Sequence, residues 1–234
     1  MIAEALALGG AAVSGVVSLG VFHPRVPLFG PIVWHGRRDV KRVALSFDDG
    51  PHPLFTPQIA EHLAKVGAKA TFFCVGRFLD EHPEVARALL AQGHELANHT
   101  FTHGMGAHLF VQSKLQADLE RCRQSLEKLG APSTLYRPAV GIRNPVVHAA
   151  ARALGLTVVT WADAARDGAF PFTERRAREF GARARAGDIL TLHDGALHGG
   201  QVFKREQTVR HLPTLLAVLR ERGFELCSVS AVLR

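Results

Sequence analysis

The sequence has few cysteines, and their arrangement excludes two classes of protein. Its 234 residues include three cysteines, Cys74, Cys122 and Cys227, and no two of them form a CxxC pair. An odd and sparse set of this kind excludes a disulfide framework and a thiolate metal site. Cys74 and Cys227 lie inside apolar, strand-like runs, which predicts that both are buried structural residues.

The sequence also lacks internal repeats and low-complexity tracts, which excludes solenoids and long linkers. A hydrophobic content of 47% and a charged content of 21% are typical of a globular protein with one sizeable domain. The 28 Lys and Arg residues exceed the 21 Asp and Glu residues, giving a formal charge of +7. Aromatic residues do not interleave the scattered basic ones, so no nucleic-acid partner is predicted. Two interpretations of the positive charge remain. One is an arginine-rich surface without a specific partner, and the other is attraction to an anionic envelope polymer or lipid.

The first 24 residues form an apolar segment that is treated apart from the main domain. The run from Ile2 to Phe22 is rich in Gly, Ala and Ser, carries Glu4, and is long enough to span a bilayer. It lacks the basic start and small-residue cleavage site of a signal peptide. We interpret residues 2–22 as a membrane anchor or a helix lying on the membrane surface. The alternative is a helix packed on the main domain.

From residue 42 onward, strand-like and helical patterns alternate, which predicts an α/β fold with a parallel sheet, either a barrel or a doubly wound layer. The predicted strands are Val43–Phe47, Ala70–Val75, Glu95–Asn98, Thr134–Arg137, Thr157–Trp161, Asp188–Leu192 and Phe224–Val229. The predicted helices lie near Pro57–Val66, Pro83–Gln92, Lys114–Leu129, Pro145–Leu154, Glu174–Ala186 and Gln207–Arg222.

Start and stop signals support these helices. Thr56 and Asn144 each precede a proline and are predicted to cap a helix. A glycine follows each of the six helical runs, where a left-handed residue ends a helix. These glycines are Gly67, Gly93, Gly130, Gly155, Gly187 and Gly223. In a parallel sheet, chemistry gathers beyond the carboxyl ends of the strands, so each site residue is expected just after a strand.

Two adjacent acids end the first predicted strand. Asp48 and Asp49 are followed at once by Gly50 and Pro51, which leaves both carboxylates at the strand tip. A simple acidic turn would have the same composition. The pair would indicate a catalytic site if one acid binds a cation and the other remains free as a base.

Two histidines follow the third predicted strand. His99 and His103 are four residues apart, a spacing that places both on one face of a helical turn and lets them chelate one cation. With a carboxylate from elsewhere they would make a two-His-one-Asp set with open positions. The sequence therefore predicts a metal site.

Three further strand ends carry candidate residues. Arg137 lies just before Pro138 after the fourth strand, where it could hold a carboxylate in its ionised state, although a surface arginine would look the same. Asp163 and Asp167 follow the fifth strand. His193 ends the sixth and is predicted to be a general acid, while Asp194 is interpreted as a turn residue.

In this order, five segments of residues 42–232 resemble the motifs of the polysaccharide deacetylase family, also called the NodB-homology domain or carbohydrate esterase family 4. They are SFDDGP at 46–51, NHTFTH at 98–103, RPAVG at 137–141, the segment from Asp163 to Asp167, and Leu192-His193-Asp194. The resemblance implies a distorted (β/α)7-type barrel that hydrolyses N-acetyl groups on a glycan such as peptidoglycan or chitin.

The resemblance also implies a role for each site residue. Asp49, His99 and His103 would bind one divalent ion, usually zinc and in some members cobalt or nickel. Asp48 would be the base that activates water, and Arg137 would hold Asp48. His193 would protonate the departing amine, tuned by Asp167. The backbone N–H of Val140 would stabilise the oxyanion, and Val140, Gly168, Thr191 and Trp161 are the predicted substrate-binding residues.

Three of those substrate positions depart from the family pattern. The family usually has Tyr where Val140 stands, Trp where Gly168 stands and Leu where Thr191 stands. We therefore hypothesise a wider pocket that takes a less usual acyl group or a bulkier, lipid-linked glycan.

Three functions are open to a chain with these residues. They are a deacetylase of N-acetylated glycans, a deacylase or deformylase of an unusual sugar amide, and a non-catalytic glycan-binding relative. The last would require loss of a metal ligand or of the base, and neither is lost. The family's usual substrates predict a membrane-associated position in the cell envelope. The basic residues after the apolar segment instead favour a cytoplasmic catalytic domain.

Overall fold

The computed structural model describes residues 14–106, 111–197 and 202–234, and it contains one eight-stranded sheet. The strands are β1 (Arg42–Asp48), β2 (Ala70–Cys74), β3 (Glu95–Asn98), β4 (Leu135–Tyr136), β5 (Thr157–Val158), β6 (Asp163–Ala164), β7 (Ile189–His193) and β8 (Glu225–Cys227). All seven predicted strands are present, four of them shorter than predicted. The additional strand is β6, whose residues the sequence placed in a loop.

The sheet is parallel throughout and curves into a distorted barrel. Its strand order is β5-β4-β3-β2-β1-β7-β6, and β8 pairs with the first half of β1. The two ends of this order, β5 and β6, are consecutive in the chain and only residues 159–162 separate them. The sheet must therefore turn back on itself, as the (β/α)-barrel expectation required. The α/β fold and the single barrel domain are confirmed.

Residues 33–35 lie along the seam between the two ends of the sheet. Val33 makes a parallel bridge to Val159, and the backbone N–H of Thr160 donates to the carbonyl of Val33. His35 makes an antiparallel bridge to Asp188, just before β7. The segment that precedes β1 thus satisfies the carbonyl of Val158 and the N–H of Thr160, at the edge of the short strand β5.

Apart from the helical residues 14–22, eight α-helices of the described ranges surround the sheet. They are α1 (Phe55–Lys65), α2 (Gly76–Glu81), α3 (Pro83–Ala91), α4 (Gln112–Lys128), α5 (Pro145–Ala153), α6 (Glu174–Arg183), α7 (Val202–Glu221) and α8 (Val229–Val232). The six predicted helices are confirmed, and the short helices α2 and α8 were not predicted. All six glycines predicted to end helices have φ between +64° and +79°, as left-handed C-terminal residues do.

One of the two predicted helix caps is wrong. Asn144 does cap α5, since its side chain accepts a hydrogen bond from the N–H of Val147. Helix α1 begins earlier than predicted, at Phe55, so Thr56 lies inside the helix. The Thr56 hydroxyl instead hydrogen-bonds to the buried carboxylate of Asp194 and accepts from the N–H of His52. A tertiary contact has replaced the local cap.

The period-two alternation of the strands divides the core and positions the site. In β1, Val43, Leu45 and Phe47 belong to the large apolar cluster shared with the helices, whereas Ala44 belongs to a second cluster. Side chains on the Ala44 side of β1 therefore include Ser46 and Asp48. The same alternation in β7 separates Leu190 and Leu192 from Ile189, Thr191 and His193. Cys74, Cys122 and Cys227 are all buried free thiols, as predicted for Cys74 and Cys227.

The predicted N-terminal segment is described only in part. Residues 1–13 of the predicted anchor lie outside the described residues, and residues 14–22 are helical. Among the helices of the described ranges, none combines the length and the apolar character needed to cross a bilayer. Membrane association of residues 2–22 stays a prediction.

Candidate active site

Asp48 lies at the end of β1 and forms an ion pair with Arg137. One guanidinium nitrogen of Arg137, Nη1, donates to Oδ1 of Asp48 at 2.6 Å and to the hydroxyl of Ser46 at 2.8 Å. Its Nη2 donates to the carbonyl of Thr160 at 3.0 Å, and the group lies 3.9 Å from the centre of the Phe73 ring. Arg137 is fully buried. Burial lowers the pKa of Arg137, and the Asp48 carboxylate opposes that shift.

Asp49 faces the two histidines on the other side of the strand tip. Its Oδ1 lies 3.4 Å from Nε2 of His99 and 3.3 Å from Nε2 of His103. The three ligand atoms all lie within 4.8 Å of one another. Ligands about 2.1 Å from a tetrahedral ion stand about 3.4 Å apart. The spacing of these atoms therefore fits a single zinc-sized ion.

The orientation of the His99 ring also fits a metal site. Its Nδ1 lies 2.8 Å from the backbone carbonyl of Arg137, which can only accept a hydrogen bond. A neutral His99 therefore carries its proton on Nδ1 and keeps a lone pair on Nε2, the atom that faces Asp49. Metal-binding histidines are typically held this way by a partner on the second ring nitrogen.

The loop that carries the histidines is irregular, and the predicted helical turn is wrong. Thr100 and His103 have φ of +69° and +56°, and residues 99–103 contain no helix. The side chain of Asn98 accepts from the N–H of Thr100, whose hydroxyl accepts from the N–H of His103. The two histidines converge because the side chains of Asn98 and Thr100 hold the loop. The prediction had instead assumed that a helical turn would bring them together.

Burial alone would raise the pKa of Asp49. When Nε2 of His99 also carries a proton, its hydrogen bond to Asp49 and the nearby imidazoles of His193, His99 and His103 outweigh burial and hold that pKa well below its usual range. Asp49 is therefore an anion in the folded protein, which is the state that a metal ligand requires.

His193 lies across the cavity from the metal-ligand group and pairs with Asp167. Its Nδ1 lies 2.7 Å from Oδ1 of Asp167, and its backbone N–H donates to Oδ2 at 3.1 Å. Burial alone would lower the pKa of His193, but the Asp167 carboxylate raises it to about 9. Because Asp167 occupies Nδ1, the proton on Nε2 is the one available to the cavity.

Two residues of α7 that the sequence did not single out complete this pair. Arg205 donates from Nη1 to Oδ2 of Asp167 at 2.8 Å and to the carbonyl of His193 at 2.7 Å. The hydroxyl of Thr208 donates to the same Oδ2 at 2.8 Å. The side chains of Asp167, Arg205 and Thr208 are all buried. Burial raises the pKa of Asp167, but His193, Arg205 and Thr208 lower it well below its usual range. No local sequence signal marks Arg205 or Thr208, because their partners lie 38 and 41 residues away.

Asp194 is more than a turn residue. It is fully buried, and its backbone N–H and that of Gly195 both donate to the carbonyl of Asp48, joining the tips of β1 and β7. Burial raises the pKa of Asp194 to about 7, aided by the charges of Asp49 and Asp48, against the hydrogen bond from Thr56. A side chain at Gly195 would collide with the backbone of Asp49, which explains why glycine follows here.

The predicted substrate residues line one cavity with the metal ligands. This cavity of about 340 Å³ contains all four of Val140, Gly168, Thr191 and Trp161, together with Asp48, Asp49, His99, His103 and His193. Val140 is 57% exposed and has φ of +47°. A Cβ added to Gly168 would lie 3.4 Å from the His193 ring. The structure thus brings together every predicted site residue, with Arg137 and Asp167 buried behind the cavity wall.

Comparison with known proteins agrees with this arrangement. A family model described as polysaccharide deacetylase matches residues 35–159. A peptidoglycan-N-acetylglucosamine deacetylase of Bacillus cereus is 34% identical over 207 residues, covering 88% of this chain and 94% of that protein. A chitooligosaccharide deacetylase of a Bradyrhizobium species is 35% identical over 198 residues, covering 80% and 88%. A solved family 4 carbohydrate esterase from Streptomyces lividans, in complex with acetate, has a TM-score of 0.70 at 26% identity, covering 80% and 91%. The chain therefore belongs to the polysaccharide deacetylase family.

Proposed function

We propose that this chain removes N-acetyl groups from a glycan built of N-acetylglucosamine, of the peptidoglycan or chitin type. The observation that carries the proposal is the placement of a three-ligand metal group between two buried acid–base pairs, Asp48 with Arg137 and His193 with Asp167. The names of the related proteins support the glycan class.

We propose zinc as the ion held by Asp49, His99 and His103. Two imidazoles and one carboxylate are common zinc ligands, and the atom spacing suits a tetrahedral ion with an open position. When bound, such an ion polarises the acyl carbonyl and lowers the pKa of a coordinated water.

The protein's own residues divide the proton transfers between two sides of the cavity. Asp48 accepts the proton of the attacking water, while Arg137 fixes the orientation of its carboxylate and balances its charge. The water oxygen bonds to the carbonyl carbon, and the carbon–nitrogen bond breaks. His193 gives the proton on Nε2 to the departing nitrogen, so the products are acetate and a free amine. Val140 lines the cavity, and its backbone N–H would donate to the developing oxyanion.

The test is turnover of N-acetylglucosamine oligomers, measured as released acetate together with the metal content of the protein. Asp48→Asn should lower turnover at least about 100-fold, because general base catalysis contributes roughly 10²–10⁴-fold. The bound zinc should remain. Asp39→Asn is the matched control, since Asp39 is an exposed acid paired with Arg37. Full turnover by Asp48→Asn would refute the assignment of the base, and a zinc-loaded wild type that releases no acetate would refute the activity.

A second candidate is hydrolysis of a larger or less usual acyl group, as a deacylase or deformylase of a sugar amide. The observation that favours it is Gly168, which leaves the face of the His193 ring uncovered in the cavity. Gly168→Trp should shift the preference toward the shorter chain when formyl, acetyl and butyryl sugars are compared. Gly106→Trp, at an exposed glycine where an added Cβ would meet no atom within 4 Å, is the control. An unchanged preference would exclude this second candidate.

For the location, we propose the cell envelope, with the chain at the membrane. The glycan classes named for its relatives and the apolar run of residues 2–22 support this position. The basic residues that follow the run favour the cytoplasmic side instead, and labelling of intact cells with an impermeant reagent would distinguish the two.

A further inference from the structure

The exposed apolar side chains of this protein are concentrated at the catalytic face. Eleven large hydrophobic side chains are exposed in the described residues. Five of them lie in segments that connect the carboxyl end of a strand to the next helix, and five lie between residues 16 and 28. The loop residues are Leu54, Met105, Val111, Val140 and Phe170, and the N-terminal ones are Val16, Val17, Leu19, Phe22 and Leu28.

The opposite end of the barrel carries few exposed large apolar side chains in the described residues. Leu233, near the C-terminus, is the one remaining residue of this exposed set among the described residues. Single exposed apolar side chains are normal on any protein surface, but concentration on one face marks an interaction site.

Buried Arg143 fixes the N-terminal segment beside the catalytic face. Its guanidinium donates to the carbonyls of Val21, His23 and Val26, and the N–H of Arg143 donates to the carbonyl of Val21. Arg143 directly follows the turn that carries Val140, and its Nε donates to the carbonyl of Gly141. The helix of residues 14–22 therefore joins the domain next to the cavity wall.

More apolar chain is attached to this helix. Residues 1–13 precede it, and their sequence contains one charged residue, Glu4. The exposed side chains of Val16, Leu19 and Phe22 are thus the described end of a longer apolar run. The length of this apolar run favours a lipid surface, rather than a small apolar molecule, as the partner that covers these side chains.

The charges among these loops favour an anionic surface. Exposed Lys114 lies three residues from Val111, and exposed Arg175 and half-buried Arg176 follow Phe170. Arg176 also stacks on the Phe170 ring at 5.4 Å. The two acids of helix α6, Glu174 and Glu179, are paired with Arg178 and Arg175, each at 2.8 Å, so the basic residues of this helix outnumber its acids. Apolar side chains interspersed with basic ones are the composition that binds the headgroup region of anionic bilayers.

We propose that the catalytic face docks on an anionic lipid bilayer, with Met105, Phe170 and Phe22 entering the headgroup region. The cavity then opens toward the membrane, and the glycans within its reach are those held at the membrane surface. This inference concerns an interaction surface and does not depend on the chemistry of the proposed function.

The experiment is sedimentation of the full chain with phosphatidylcholine vesicles that either contain or lack phosphatidylglycerol. The wild type should bind the anionic vesicles, and added salt should weaken the binding. The double change Met105→Ser with Phe170→Ser should lower the partition coefficient at least about tenfold, because both side chains leave the lipid. Leu233→Ser, at the opposite end, is the matched control and should bind as the wild type does.

A second variant and a stability measurement keep the test independent of folding. Leu54→Ser alters another loop of the same face and should lower the partition coefficient by a smaller factor. Thermal midpoints of all variants should match the wild type, since each of these residues is at least 36% exposed in the folded protein.

Three outcomes would overturn the proposal. One is a wild type that binds neither kind of vesicle. Another is that Leu19→Ser with Phe22→Ser abolishes binding while the loop variants retain it, because the segment alone would then be the anchor. The third is binding to insoluble peptidoglycan that the loop variants lose while vesicle binding is unaffected, which would assign the face to a polymeric glycan.

Discussion

At the scale of single residues, Asp48 and Asp49 are adjacent in the chain and differ in every contact. Asp48 continues the regular β1 pattern and meets a fully buried arginine, whereas Asp49 turns away with φ of +76° and meets two histidines. One carboxylate is therefore held by a fixed cation and the other by groups that can also bind a metal. The two ring nitrogens of His193 are divided in a similar way. Asp167 occupies Nδ1, and Nε2 is left for the cavity.

Asp167→Asn tests this division through the pH dependence of turnover. The Asp167 carboxylate raises the pKa of His193, so the protonated acid persists to about pH 9 and activity is lost as the pH rises through that value. Without the carboxylate the pKa falls, and the alkaline loss should begin about one to two pH units earlier. Initial rates measured from about pH 6 to about pH 11 would show the shift. Asp163→Asn, which removes a surface partner of Arg183, should leave the profile unchanged; an unshifted Asp167→Asn profile would contradict the role given to Asp167.

At the scale of elements, the loops after the strands are held by contacts with distant segments. Helix α7 supplies Arg205 and Thr208 to the acid on the loop after β6. The turn after β4 is tied through Arg143 to residues 21–26. Such loops can be irregular, with non-glycine residues at positive φ, because the surrounding structure determines their conformation.

Arg143→Met tests the attachment of the N-terminal segment. The change removes the donors to Val21, His23 and Val26 and leaves those carbonyls without that partner. We expect the free energy of unfolding to fall by roughly 1–3 kcal/mol. Residues 21–26 should also become a site of early cleavage in limited proteolysis followed by mass spectrometry.

The control for Arg143→Met is Arg152→Met, which alters an exposed arginine on α5. That variant should retain the stability and the cleavage pattern of the wild type. If Arg143→Met retained both as well, the segment would be held by contacts other than Arg143.

At the scale of the whole molecule, acid should destabilise the fold through His94, which is buried between β2 and β3. Its Nδ1 accepts from the N–H of Ala70 at 3.2 Å, and its Nε2 is buried with no hydrogen-bond partner in the described residues. Burial, and secondarily Lys69, lowers the pKa of His94 from 6.5 to about 4. The unfolded chain takes up a proton first, so stability is complete above about pH 6.5 and is lost as the pH falls toward 4.

His94→Asn should reduce this acid sensitivity. Asparagine keeps an acceptor for the N–H of Ala70 and has no basic nitrogen, so about 1–3 kcal/mol of the loss between pH 7 and pH 4 should disappear. Urea unfolding at several pH values measures the effect. His211→Asn, on the half-buried face of α7, is the comparison, and an equal acid dependence in the wild type and His94→Asn would contradict the assignment.

The sequence determined the order and type of the elements, because apolar periodicity and helix-ending glycines are local properties. It also identified the metal-ligand group of Asp49, His99 and His103, because each of these residues can be recognised within its own segment as following a strand. It misplaced Thr56 and the histidine turn, where contacts with Asp194 and within the Asn98 loop outweighed local preference. Only the tertiary structure decided that residues 159–162 join the two ends of the curved sheet, that Arg205 and Thr208 hold Asp167, and that the exposed apolar side chains share the catalytic face. These features join segments far apart in the chain, and no local pattern encodes which distant groups become neighbours when the sheet curves.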